Sequence, residues 1–163
     1  MFRATRFSLP SEIFRRHHRR CIHRILVLER YVRKMIREEV VAQLVATRKW
    51  AEVTARLGER AKYLCEYCDL DLLQTPEHYK MWQVDHIVPT SCGGDPADFD
   101  NLAIACKTCN WDWKSKWDPR PTAGQNASRA ELIKAVREHI QNPKLKIEEE
   151  LKRIRKIVGY PIH

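Results

Sequence analysis

The sequence predicts an α+β fold: a small strand–loop–strand–helix core held between long N-terminal and C-terminal helices. Three observations predict it. No Gly or Pro occurs from Ser11 to Leu57, and apolar residues there recur at steps of three and four, the period of an amphipathic helix. Residues 81–88 are rich in apolar and β-branched side chains, as strands are, and 102–105 repeat that character more briefly. Two Cys-x-x-Cys pairs, Cys65-Glu66-Tyr67-Cys68 and Cys106-Lys107-Thr108-Cys109, bracket these strands. Paired thiols at this spacing suit one tetrahedral zinc ion, and such a staple lets a core this small hold together.

The elements follow in order. Pro10-Ser11 starts the first helix, with Ser11 as N-cap. Its stripe runs through Phe14, Cys21, Ile25, Leu28, Val32 and Met35, while Arg15, Arg16, Arg19 and Arg20 fall largely elsewhere and form a basic face. A break near Thr47 leads to a second helix reaching Gly58, which would bury Trp50, Val53 and Leu57. Pro89 to Asp100 holds Pro, Ser, Gly-Gly, Asp and Asn and reads as a loop between the two strands. Asn110 to Trp117 reads as a short helix opening off the second cysteine pair. Pro119 to Asn126 is linker-like. Ser128 then caps a helix, with Glu131 in the capping-box position, that runs to about Ile140 and stops at Asn142-Pro143. A last helical segment spans Lys146 to Val158 and ends at Gly159. The organisation expected is a basic helical extension over 1–60, a core over 61–118 and a second basic helical extension over 119–163.

Charge follows the same division. The net charge of +9 is distributed unevenly: 15 Lys/Arg against 6 Asp/Glu in residues 1–60, 5 against 10 in 61–118, and 10 against 5 in 119–163. An acidic centre gathers divalent cations and basic flanks gather phosphates, so nucleic acid is the expected partner. Solvated helix faces are the bland rival. No apolar run approaches membrane-spanning length. The Arg-rich start lacks the apolar region of a secretory signal and the Ser enrichment of a transit peptide. A reducing cytoplasm is therefore expected, and a disulfide framework is disfavoured against zinc. Cys21 and Cys92 are expected to have no role.

Between the cysteine pairs lie Asp85-His86, Gly93-Gly94 and Asn101-Leu102, and Asn110 directly follows the last cysteine, with Lys114 one helical turn on. In that order, from about Lys62 to Trp117, these residues resemble the HNH family of nucleases, which share the ββα-metal fold. This chain has an H-N-N form, His86, Asn101 and Asn110. The resemblance implies hydrolysis of DNA to a 5′ phosphate and a 3′ hydroxyl. It makes His86 the general base and Asn101 the residue that holds the loop and orients it. A neutral, oriented imidazole can take a proton from water. A carboxylate and an amide oxygen are hard ligands, so Asp85 and Asn110 are the expected pair for a catalytic Mg²⁺ or Mn²⁺. Zinc at Cys65, Cys68, Cys106 and Cys109 would be structural. Lys114 stands between a phosphate contact and a surface charge.

Each role has a plainer rival. Asn110 would serve as the N-cap of its helix, Asn101 as a turn residue, Asp85 as an acceptor of backbone bonds. Trp111, Trp113 and Trp117 interleave with Lys114 and Lys116. Packing beside the zinc is favoured for them over stacking on bases. The function expected is a metal-dependent endonuclease acting on DNA, with RNA also open. Its rivals are a non-catalytic zinc module that binds nucleic acid or protein, and a nuclease subunit working within a defence or restriction assembly. The long N-terminal stripe motivates the last, and a homodimer or a protein partner would cover it.

Overall fold

The computed structural model describes residues 37–160. The chain divides into two units, 1–49 and 50–163. In the first, residues 37–46 form α1; the stripe from Phe14 to Met35 and the basic face of Arg15, Arg16, Arg19 and Arg20 lie outside the described residues. The second unit runs α2 (Glu52–Ala61), α3 (Pro76–Lys80), β1 (Trp82–His86), β2 (Leu102–Cys106), a π-helix (Thr108–Lys114), α4 (Arg120–Ala123) and α5 (Arg129–Val158). This is the mixed helix-and-sheet architecture that the sequence predicts.

β1 and β2 pair antiparallel, with Trp82 opposite Cys106 and His86 opposite Leu102. A lone two-stranded hairpin is marginal in water. Here all of β2 is buried, and helices supply the apolar surface it needs. Leu57 of α2 and Val136 and Ile140 of α5 share one cluster with Ala103, Ile104 and Ala105. The first cysteine pair extends the sheet edge. Glu66 N–H donates to the Ile104 carbonyl at 2.8 Å, and the Glu66 carboxylate accepts from Ile104 N–H at 2.9 Å.

Four local differences from expectation have physical causes. The second helix begins at Glu52 rather than near Thr47, with Leu57 buried and Val53 45% exposed. It also passes through Gly58, which is there for contact rather than termination. A Cβ at Gly58 would lie 3.0 Å from the rings of Trp82 and Tyr63. Pro143 sits inside α5, which continues unbroken to Gly159 (φ 65°). A proline forfeits one backbone bond, and good helix formers follow it here. The expected linker instead holds α4, because Arg120 bonds Asp118 at 2.7 Å and donates to the Cys92 carbonyl. Lastly, the helix after the second cysteine pair is wound in the wide π form over Thr108–Lys114, where a regular helix over 110–117 was expected. Ser115 N–H reaches five residues back to the Asn110 carbonyl at 2.9 Å, and Ser115 ends the element at φ 49°. Such wide turns often mark functional sites; this one carries Lys114 to the inside.

α5 is clasped to the first cysteine pair. Its capping box forms as predicted, Ser128 with Glu131. Further along, Arg129 meets Glu66 at 2.6 Å, and Arg137 makes a two-pronged contact with Asp69 at 2.8 and 2.6 Å. Nothing in local sequence pattern signals pairs this far apart.

Candidate active site and zinc knuckles

The four paired cysteines converge: the sulfurs of Cys65, Cys68, Cys106 and Cys109 all lie within 4.8 Å of one another. Cys68 and Cys106 sulfurs are 3.8 Å apart. That is far beyond a disulfide bond. It matches the edge, about 3.8 Å, of a tetrahedron whose zinc–sulfur bonds are ~2.3 Å. Backbone N–H groups already point at the sulfurs, Cys106 to Cys65 at 3.2 Å and Cys109 to Cys106 at 3.4 Å. The Cys65 thiol is drawn down to about 7, chiefly by its hydrogen bond with the Cys106 side chain and then with Cys109. Cys109 is pushed up, first by its bond to Cys106. Four thiols this close share protons rather than ionise together, and a soft dication removes that conflict. The cluster is thus compatible with zinc.

The first knuckle also builds the neighbouring site. Tyr67, between Cys65 and Cys68, is 2% exposed, and its hydroxyl donates to Asp85 Oδ2 at 2.6 Å. Burial, and then the charge of Asp85, hold the Tyr67 hydroxyl well above the usual phenol range, so it stays a donor. Lys114 Nζ takes the same carboxylate oxygen at 2.9 Å and donates to the His86 carbonyl at 2.9 Å. Both contacts to Asp85 fall on Oδ2 and neither on Oδ1. Asp85 is 8% exposed and Lys114 1%. The Lys114 ammonium therefore faces Asp85 and the β1 backbone, not a surface.

His86 ends β1, and the loop that follows is fixed by Asn101. The Asn101 side chain accepts from Val88 N–H at 2.9 Å and donates to the carbonyls of Val88 and Asp95, each at 3.1 Å. Its own carbonyl accepts from Ile87 N–H at 2.7 Å. Gly94 is required by this closure, since a Cβ there would come within 2.0 Å of the Val88 carbonyl oxygen.

Asp85, His86, Asn110 and Lys114 line one cavity of about 310 Å³, together with Thr90 and Ser91. Asn101 lies behind the loop and lines a separate cavity with Asp95 and Arg129. Of the residues sequence reasoning singled out, the four cysteines and the Asp85–His86–Asn110 set are brought together. Asn101 acts on the same loop from outside the cavity. Tyr67 and Arg120 were missed. Tyr67 carried a faint signal as the aromatic inside the first cysteine pair; Arg120 carried none. The tryptophans divide. Trp113 and Trp117 pack against the core, as expected, and Trp117 stacks on His139 at 4.0 Å. Trp111 does not: it is 66% exposed.

No helix among the described residues is long and apolar enough to cross a membrane. Comparison with curated proteins and with solved structures gave no match. Residues 65–113 match the family model of HNH endonucleases. That span begins at the first zinc-compatible cysteine and closes inside the π-helix that carries Asn110, so the segment from Cys65 to Trp113 is what this chain shares with HNH endonucleases, set among helices that the match does not cover.

Proposed function

We propose that this chain is a metal-dependent endonuclease that hydrolyses phosphodiester bonds of DNA. The observation that carries this reading is the convergence of Asp85, His86 and Asn110 on one cavity beside a buried ion pair. A carboxylate, an imidazole and an amide with no shared structural task are otherwise hard to account for in one place.

The donor set fits a hard divalent cation. Oδ1 of Asp85 is left by Tyr67 and Lys114, and among the described residues no partner takes the Asn110 side-chain amide. Asp85 and Asn110 would hold Mg²⁺ or Mn²⁺, which supplies charge neutralisation at the phosphate and the leaving oxygen. His86 accepts the proton of the attacking water. Asn101 holds the backbone after His86 so that the ring keeps one aim. Lys114 positions Asp85 and the β1 end in this scheme, rather than meeting phosphate. Zinc at Cys65, Cys68, Cys106 and Cys109 keeps Tyr67, and through it Asp85, in place.

The test is cleavage of supercoiled plasmid by zinc-replete protein with added Mg²⁺ or Mn²⁺, wild type against His86→Ala. Cutting by the wild type alone supports the reading, and the product pattern separates nicking from double-strand cleavage. Equal cutting by both proteins removes His86 from the chemistry. A parallel RNA substrate decides which nucleic acid is taken. If nothing cuts, the non-catalytic zinc module becomes the better account.

A further inference from the structure

Trp111 directly follows Asn110 and lines the same cavity as Asp85 and His86, yet its indole is mostly in solvent. The ring is not loose. Its N–H donates to Gln83 Oε1 at 3.0 Å, and Gln83 sits on β1 opposite Ala105, two residues before Asp85. One edge of the indole is thus pinned to the strand that carries the candidate metal ligand. Exposed Lys116 lines the same cavity and adds a positive charge beside it. A large aromatic left in water but held in one orientation gains nothing for the core. It is preorganised to receive a flat apolar partner.

We propose that Trp111 is a stacking platform for an unpaired base at the mouth of the cavity that Asp85 and Asn110 line, and that the preferred substrate is therefore an unpaired DNA strand. The inference rests on the reading of this cavity as a nucleic-acid site. Bases in a duplex are stacked on both faces and offer only their edges in the grooves. An unpaired base offers a face, and stacking on an aromatic side chain is how proteins grip single strands without reading sequence. Lys116 meets the adjoining phosphate as a point charge.

The test measures binding, without cleavage, by the full zinc-loaded chain in buffer with no added divalent ion. The probes are a fluorescently labelled 20-mer single strand and the blunt duplex of the same sequence, read by anisotropy. Wild type should prefer the single strand. Trp111→Ala should weaken that binding about 5- to 150-fold, the range expected for loss of one stacked base. Trp111→Phe should keep most of it, and duplex binding should change less than about twofold in either variant. An abasic scan adds a second readout: one position should cost the wild type affinity and cost Trp111→Ala none. Four results overturn the proposal: no single-strand binding by wild type, equal losses from strand and duplex, no loss in Trp111→Ala, or a flat abasic profile. Plasmid and single-strand cleavage with Mg²⁺ separates the two readings. His86-dependent cutting with Trp111-independent binding sinks the platform alone. Trp111-dependent binding with no cutting sinks the nuclease alone.

Discussion

Lys114 Nζ lies 2.9 Å from Asp85 Oδ2 and 2.9 Å from the carbonyl oxygen of His86, and none of its side chain is exposed. One buried ammonium thus ties the carboxylate to the backbone of its neighbour. Adjacent residues of a regular strand point to opposite faces, so a common target for Asp85 and His86 needs a fixed strand end. Lys114 sets an ammonium against the buried Asp85 carboxylate, and the π-helix supplies the reach.

Removing one partner of such a pair leaves an uncompensated buried charge. Lys114→Met should therefore lower unfolding stability by about 3–5 kcal/mol, measured by urea denaturation of zinc-replete protein. Plasmid cleavage should fall with it, because Asp85 loses its hold. A change of less than about 1 kcal/mol, the range of exposed pairs, would show that the pair is solvated and that Lys114 is free for phosphate.

Asn101 and Gly94 form one closure and should fail in the same way. Asn101→Ala removes three side-chain hydrogen bonds around Val88 and Asp95. Leaving the buried Val88 N–H and carbonyl unpaired costs about 1–3 kcal/mol each. Gly94→Ala forces the Val88 carbonyl aside, since the new Cβ starts only 2.0 Å from its oxygen. Both variants should lose most cleavage while retaining one zinc-binding cluster, as read by zinc release on thiol titration. Full cleavage by Gly94→Ala would mean that the loop relaxes without moving His86.

Zinc removal should act on Asp85 through Tyr67. The hydroxyl that holds Asp85 belongs to a residue flanked by two of the four cysteines. Stripping zinc with a thiol-competing chelator should abolish cleavage, and Mg²⁺ alone should not restore it; zinc added back should. Tyr67→Phe, with zinc retained, should lose part of the cleavage by loosening one oxygen of Asp85. If that variant cuts like the wild type, Lys114 holds the carboxylate unaided.

How far the sequence reaches depends on how far apart the partners lie. Cys-x-x-Cys pairs declare themselves because their spacing is itself the geometry, and the Ser128–Glu131 cap does so for the same reason. The strands were legible because β2 is apolar throughout. What escaped was set by tertiary contact. Gly58 reads as a helix stop, but Trp82 and Tyr63 press on it. Lys114 reads as either a phosphate contact or a surface charge, because no local pattern shows that the turn carrying it is wound wide. Trp111 reads like Trp113 and Trp117, and its exposure and its bond to Gln83 of β1 set it apart. Arg120, in a stretch that looks like linker, grips a carbonyl in the loop that follows His86.

That last contact predicts a response to acid. Asp118 bonds the Arg120 guanidinium at 2.7 Å, and this bond holds its carboxyl below the usual aspartate range. A depressed folded-state value means that the unfolded chain binds the proton first as pH falls. The contribution is then complete above the ordinary aspartate value, about 3.9, and is lost as pH drops through the lower folded value. Wild-type stability should fall more steeply than that of Asp118→Asn over this acid window, in urea unfolding at stepped pH. Arg120→Ala should remove the same acid dependence and also release the Cys92 carbonyl, so it alone should reduce cleavage at neutral pH markedly. Parallel acid profiles for wild type and Asp118→Asn would place the loop's anchor elsewhere, on Asn101 and Gly94 alone.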